Sequence, residues 1–114
     1  MNKERSDYFK DILKDCTLCP HSCHVDRTKN EMGFCNASDT VKISQALPHF
    51  GEEPPISGKK GSGTIFFTNC NMKCQYCQNY QISQKDSIEF SNDISKRELA
   101  DIMISLKEKG CHNI

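Results

Sequence analysis

The spacing of the cysteines is the feature that most constrains what this chain can fold into. Eight of its 114 residues are cysteine, and one of them, Cys111, stands alone. The other seven fall into two groups. The first group is Cys16, Cys19, Cys23 and Cys35, and the second group is Cys70, Cys74 and Cys77. Hydrophobic residues make up 36% of the chain and tryptophan is absent, so it can bury only a modest core. The cysteines therefore need an explanation of their own.

The rest of the composition limits the classes of function. The charged start, Met1 to Arg5, is not followed by the apolar stretch of a secretory signal, and no apolar run approaches the roughly 18 residues of a spanning helix. The 15 basic residues balance 15 acidic ones, so no net charge attracts nucleic acid or an anionic membrane. We therefore expect a cytoplasmic protein with no nucleic-acid or membrane partner. An even number of cysteines keeps disulfide bonds possible. The short spacings within each group nevertheless favour metal binding, because closely spaced thiolates can converge on one metal but strain a disulfide.

Local patterns predict the secondary structure of the chain as far as residue 94. A helix is expected over residues 6–14, started by Ser6 or Asp7. Four apolar residues share one face of it: Tyr8, Phe9, Ile12 and Leu13. Residues 40–47 show a weak strand pattern, residues 48–63 are rich in proline and glycine and predict a loop, and residues 64–68 predict a buried strand. Residues 80–94 are polar and irregular.

A second helix has the clearest local signal. Ser95 and Glu98 form the pattern of a capping box, and Gly110 suits the left-handed residue after a helix. Four apolar residues follow the box at helical spacing and are expected in the core: Leu99, Ile102, Met103 and Leu106. A new strand is predicted near Asn113. The order strand, cysteine loop, helix and strand predicts an α/β fold that opens with a first βα unit.

The second cysteine group carries the sharpest chemical signal. Cys70, Cys74 and Cys77 have the spacing C-x3-C-x2-C directly after a predicted strand, where open α/β folds and barrels place their sites. Three thiolates form an incomplete cage, whereas a structural zinc is normally closed by four ligands. A four-iron cluster held by three cysteines leaves one iron open, and sulfur ligands favour iron–sulfur or zinc over magnesium or calcium. Structural zinc completed by Cys111 or a histidine stays open as the alternative.

This loop and its flanks resemble a known family. The three cysteines, with Tyr76 just before the last, look like the cluster loop of the radical S-adenosylmethionine superfamily. Three flanking stretches are similar to the subgroup related to the pyruvate formate-lyase activating enzyme: residues 52–58 (EEPPISG), 61–67 (GSGTIFF) and 77–83 (CQNYQIS). The resemblance runs from about residue 16 to the C-terminus.

The resemblance implies an oxidoreductase with a specific set of cofactors. Cys70, Cys74 and Cys77 would each ligate one iron of a 4Fe–4S cluster, the fourth iron would chelate S-adenosylmethionine, and Tyr76 would lie beside the adenine. An electron from a donor such as flavodoxin or ferredoxin would cleave S-adenosylmethionine, giving methionine and a 5′-deoxyadenosyl radical that abstracts a hydrogen atom. In the activating enzymes the substrate is a backbone glycine of a partner, so a glycyl-radical protein is one candidate partner.

The first cysteine group, Cys16 to Cys35, offers four thiolates for a possible second site. Its spacing permits a closed four-cysteine site, as in a zinc ribbon or an auxiliary iron–sulfur centre. We expect a structural metal, with zinc favoured over a second iron–sulfur cluster, and reduced cysteine without a metal as the alternative. His21 and His24 are candidate substitute ligands, although a solvent-exposed loop histidine is the more common case. Cys111 is expected to be a small buried residue at the start of a strand.

Together these patterns predict two segments. Residues 1–60 would hold the N-terminal helix, the cysteine-rich metal knuckle and a linker. Residues 61–114 would hold the start of a radical S-adenosylmethionine barrel, with its strand, cluster loop and helix. A partial (β/α) barrel takes about 200 residues or more, so we expect an N-terminal fragment of a larger enzyme, truncated and inactive alone. A small structural zinc-binding module without catalysis is the alternative from another class.

Overall fold

The structure is a computed structural model that describes residues 3–84 and 91–114. Its elements in chain order are α1 (Lys3–Lys14), a 3-10 turn (Arg27–Lys29), β1 (Val41–His49), α2 (Pro54–Ser57), β2 (Ser62–Phe67), α3 (Tyr80–Ser83), β3 (Asn92–Ile94) and α4 (Lys96–Glu108). Of the segment predicted to be irregular, 80–94, residues 85–90 lie outside the described ranges. Within those ranges no helix is long and apolar enough to cross a membrane.

The chain divides into two compact units, each assembled from two separate stretches of sequence. The cysteine unit comprises Met1–Thr40 and Asn69–Ser87, and the sheet unit comprises Val41–Thr68 and Ile88–Ile114. The strands β1 and β2 lie between the two cysteine groups in sequence but belong to the other unit. Both cysteine groups therefore belong to the same unit.

The sheet unit contains a three-stranded antiparallel sheet with β1 at its centre, between β2 and β3. Ile43 of β1 pairs with Phe67 of β2, and Val41 pairs with Ile94 of β3. The predicted mixed α/β class is confirmed. The described residues show no part of a (β/α) barrel, because the neighbour of β2 in the sheet is the antiparallel strand β1. Strand pairing of this kind depends on long-range backbone hydrogen bonds that a local pattern does not specify.

Helix α4 packs on the sheet and supplies the centre of its core. Leu106 is only 1% exposed, and Ile43 of β1 is buried as well. The capping box is confirmed, since Glu98 N–H donates to Ser95 Oγ at 3.1 Å and Ser95 N–H donates to Glu98 Oε2 at 2.7 Å. Met103 is 42% exposed, so its predicted core position is wrong. The small sheet covers only part of the apolar face of the helix.

Several other boundaries differ from the sequence-based predictions. Helix α1 begins at Lys3, before the predicted caps, and α2, α3 and β3 form in segments predicted to be loop or irregular. Strand β3 exists because it pairs with β1, although its own residues have little strand preference. No strand forms near Asn113 in the described residues, but one backbone bond is present there, from Gly63 N–H of β2 to the Asn113 carbonyl at 3.0 Å.

Candidate metal centres

The eight cysteines are all free thiols, and they differ in exposure. Cys16 is buried, Cys74 is exposed, and the other five members of the two groups are half-buried: Cys19, Cys23, Cys35, Cys70 and Cys77. Within residues 3–84 and 91–114, no three side chains of His, Cys, Asp or Glu are arranged to hold a metal ion. The candidate sites are therefore defined by what each sulfur contacts.

A tight reversal of the backbone shapes the start of the first group. Cys16 N–H donates to the Val25 carbonyl at 3.1 Å, and His24 N–H donates to the Cys16 carbonyl at 3.1 Å. Ser22 and His24, the two neighbours of Cys23, both have left-handed backbone angles, with φ of 41° and 54°. The chain therefore folds back so that Cys16 lies alongside the residues that follow Cys23.

The segment before Cys35 packs directly against Cys23. A Cβ atom at Gly33 would stand 2.9 Å from both Cβ and Sγ of Cys23, so only glycine fits there without movement. Phe34 N–H donates to Cys23 Sγ at 3.3 Å, and Asn36 N–H closes a turn onto the Gly33 carbonyl at 3.0 Å. Hydrogen bonds to cysteine sulfur are typical of thiolate metal sites, which they orient and tune.

A buried arginine contacts the sulfur of Cys35, the last cysteine of the first group. Arg27 is 7% exposed, and its Nη2 donates to Cys35 Sγ at 3.1 Å. Its Nε is buried and has no hydrogen-bond partner among the residues that the structure describes. The turn that carries it is capped by Asp26, whose carboxylate accepts from Thr28 and Lys29, and these contacts hold the pKa of Asp26 below its ordinary value. Arg27 carries no signal in the sequence, because most arginines are exposed and no spacing pattern marks the buried ones.

The second group also has donors close to its sulfurs. Met72 N–H donates to Cys70 Sγ at 3.3 Å. Cys77 N–H donates to the Cys74 carbonyl at 3.2 Å and closes a turn between those two cysteines. Cys77 Sγ lies 3.2 Å from the hydroxyl oxygen of Ser83, where either atom can be the donor. Two of the three sulfurs predicted to hold iron therefore have a hydrogen-bond partner within six residues along the chain.

The loop is closed at its base and open at its tip. Asn69 N–H donates to the Ile82 carbonyl at 2.9 Å, so the residues on either side of the loop are joined. At the tip, the side chain of Tyr76 is 94% exposed, and Met72 and Cys74 are exposed as well. The predicted neighbour of the adenine is thus an aromatic ring that presents most of its surface to solvent.

Two side-chain contacts join the two cysteine segments within the cysteine unit. His21 Nε2 lies 2.9 Å from the Asn71 carbonyl oxygen, and the His21 ring stacks on Phe34 with centroids 3.9 Å apart. Lys73 Nζ lies 4.3 Å from the centroid of Phe34, within the range of a cation–π contact. The segment leading to Cys35 therefore contacts the loop of the second group.

The remaining predicted residues have other partners. His24 is exposed, with Nδ1 2.8 Å from Asp15 Oδ1, so neither His21 nor His24 is bonded to a cysteine side chain. Cys111 is buried in the sheet unit, as predicted, and its thiol donates to the Lys60 carbonyl at 3.8 Å. A cysteine at that place is a small core residue.

Comparison with known proteins adds one relative. No protein-family model matches the chain, and no solved structure matches it. An uncharacterized protein of Methanocaldococcus jannaschii is 44% identical to it over 75 residues, which are 66% of this chain and 21% of the relative. The chain thus matches about a fifth of the length of that curated relative. The likeness carries no activity to this chain, because the relative is itself uncharacterized.

Proposed function

We propose that this chain is part of a radical S-adenosylmethionine enzyme in which Cys70, Cys74 and Cys77 hold a 4Fe–4S cluster. The observation that carries the proposal is the second-group loop. It places three free thiols within eight residues. The Met72 amide donates to the sulfur of Cys70, and the Ser83 hydroxyl contacts the sulfur of Cys77. A three-thiolate donor set fits a cluster that keeps one iron open, and it fits a closed structural zinc less well.

The residues of the loop have distinct roles in this proposal. The three cysteines would hold the cluster as thiolates, so each thiol would have to give up its proton on binding. The bound cluster and S-adenosylmethionine would supply reductive cleavage of the sulfonium and a hydrogen-abstracting 5′-deoxyadenosyl radical. Tyr76 offers an exposed aromatic face on which the adenine can stack. Met72 N–H and Ser83 Oγ orient the sulfurs that they contact.

The partners and the complete fold belong to the same proposal. An electron donor such as flavodoxin or ferredoxin would reduce the cluster at the exposed Cys74. A glycyl-radical protein is one candidate substrate. A partial (β/α) barrel needs a further strand beside β2, and the bond from Gly63 N–H to the Asn113 carbonyl supports a chain path that returns there after α4.

The first group has a structural role in this proposal, as a four-cysteine site that holds zinc. Two contacts support this role. Gly33 and Phe34 pack on Cys23, and the buried Arg27, whose Nε has no described hydrogen-bond partner, donates to Cys35 Sγ. In addition, the contact of His21 with Asn71 couples this group to the loop of the second group. A metal at the first group would then help to hold that loop in place.

Anaerobic reconstitution of the full 114-residue chain with iron and sulfide tests the main proposal. We expect about four irons and four sulfides per chain, with the visible absorption of an iron–sulfur cluster. In Cys74→Ala the cluster should be lost, because the exposed thiol is a ligand whose removal leaves two. Cys111→Ala is the matched control, since it removes a cysteine outside both groups and should keep the cluster.

Electron paramagnetic resonance and the metal contents of the wild type and the variant complete this test. Electron paramagnetic resonance of the dithionite-reduced protein should change when S-adenosylmethionine is added, because the open iron would gain ligands. Equal iron contents in the wild type and in Cys74→Ala would contradict the proposal. Zinc in both groups, with no iron–sulfur absorption after reconstitution, would instead support the small structural zinc module.

A further inference from the structure

We propose that Arg27 is the charge partner of an anionic metal site formed by the four thiolates of the first group, and that it acts through Cys35. The inference rests on the metal-binding role proposed for that group. It goes further by assigning the hydrogen-bond donor and the balancing charge to a residue outside the cysteine pattern.

The charged side chain of Arg27 is buried. A guanidinium is always charged, so a side chain that is 7% exposed needs an anion close to it. Within residues 3–84 and 91–114, no carboxylate forms an ion pair with Arg27. In the same part of the chain, its side chain donates to Cys35 Sγ at 3.1 Å, and its Nε has no hydrogen-bond partner. The described contact of this charge is therefore with a sulfur that becomes anionic when it binds a metal.

The chemistry of sulfur indicates why this contact suits a metal site. A neutral thiol is a weak acceptor, whereas a thiolate carries a full charge and makes the contact with Arg27 a charge-assisted hydrogen bond. Four thiolates around one Zn²⁺ leave a net negative charge on the site, and a buried guanidinium offsets part of it. Arg27 thus fits a site with excess negative charge, which is what the four cysteines become on binding Zn²⁺.

The short turn that carries Arg27 also provides the control. Lys29 lies two residues further on and has the same charge, but its side chain is 74% exposed and pairs with Asp26 at 3.0 Å. Asp26 caps the start of the turn, and Asn30 ends it in a left-handed conformation with φ of 61°. One cation of the turn therefore faces the sulfur and the other faces solvent.

The first measurement is the Zn²⁺ affinity of the full chain, obtained by competition with a chromophoric chelator. We expect Arg27→Met to bind Zn²⁺ about 10- to 100-fold more weakly, because a hydrogen bond from a charged donor is lost. Arg27→Lys should lower the Zn²⁺ affinity less than Arg27→Met, since lysine keeps the charge but not the planar guanidinium group. Lys29→Met should bind Zn²⁺ with an affinity within about twofold of the wild type, because exposed ion pairs contribute little. Circular dichroism of the metal-free variants checks folding, and Arg27→Gln replaces Arg27→Met where the latter does not fold.

The second measurement separates a charge partner from a packing residue. With Co²⁺ in the site, loss of the donor to Cys35 Sγ should move the sulfur-to-cobalt charge-transfer band to lower energy in Arg27→Met. A packing role would leave that band in place. In a Cys35→Ser background, Arg27→Met should weaken Zn²⁺ binding by less than about twofold, because coupled residues are not additive.

The outcomes distinguish failure of this inference from failure of the proposed site. If the wild type binds Co²⁺ without the absorption expected of four thiolates, the metal role of the first group is refuted. If the wild type binds through four thiolates and Arg27→Met matches its affinity and its band position, Arg27 is not the charge partner. An equal loss of affinity from Arg27→Met in the Cys35→Ser background would refute the action through Cys35.

Discussion

Replacing Gly33 with alanine tests how closely the first cysteine group is packed. The added Cβ would lie 2.9 Å from Cβ and Sγ of Cys23 and 3.3 Å from Cγ2 of Val25. Favourable contacts between carbon atoms lie at about 3.5–4.0 Å, so Cys23 or the backbone of Gly33 has to move. Gly33 is not among the glycines with positive φ, so the effect of the substitution is steric and not a matter of backbone strain.

The size of the effect follows from this overlap. Overpacking in a well-packed region costs about 1–3 kcal/mol, and here the displaced atom is a proposed metal ligand. A shift of Cys23 Sγ also weakens the hydrogen bond that it accepts from Phe34 N–H at 3.3 Å. If the cost falls on the metal-bound state, Gly33→Ala lowers Zn²⁺ affinity by about 5- to 150-fold.

Chelator competition measures the Zn²⁺ affinity, and guanidinium unfolding of the metal-loaded chain gives the matching loss of stability. Gly51→Ala is the control, since the three atoms nearest to its new Cβ all belong to the ring of His49 in the sheet unit, the first of them at 2.7 Å. That ring is the end of a flexible side chain and can turn away, so the control should bind Zn²⁺ like the wild type. Wild-type affinity in Gly33→Ala would refute the steric reasoning.

The sheet unit supports two further predictions. Leu106→Ala should lower the free energy of unfolding by about 2–5 kcal/mol in denaturant titrations, because it empties a position that is 1% exposed. Met103→Ala, at an exposed position of the same helix, should cost less than about 1 kcal/mol, and equal losses would contradict the described core. Ser95 N–H donates to the Glu98 carboxylate and holds the pKa of that carboxyl below its ordinary value. A lowered folded-state pKa adds stability above the unfolded-state pKa, and this stability is lost as the pH falls through the folded-state pKa. The protection factors of the α4 amides, which correct for the intrinsic exchange rate at each pH, should therefore fall on acidification less in Glu98→Gln than in the wild type. Identical profiles would count against this role of Glu98.

Much of the local structure could be predicted because its causes lie a few residues apart. The capping box joins Ser95 to Glu98, and Gly110 takes the left-handed angle predicted for it, with φ of 96°. The strand patterns at 40–47 and 64–68 correspond to β1 and β2, with ends that differ by one or two residues. In each case the signal is a short-range hydrogen bond or the alternation of neighbouring side chains.

The candidate site was predictable only in part. The sequence identifies which cysteines are grouped, and their role as ligands stays a prediction. It does not identify Arg27, Phe34 or Ser83, whose contacts with sulfur or with the second loop arise from the folded chain. Burial of a polar side chain depends on every segment packed around it, so no spacing rule reveals it.

The sequence by itself determined the spacing of the thiols, the capped helix α4 and the mixed α/β class. The tertiary structure alone decided that β1 pairs antiparallel with β2, that both cysteine groups share one unit, and that Arg27 faces Cys35. The physical reason is distance along the chain. Spacing and capping follow from neighbouring residues, whereas strand pairing and the burial of a charge follow from segments that meet only after the chain has folded.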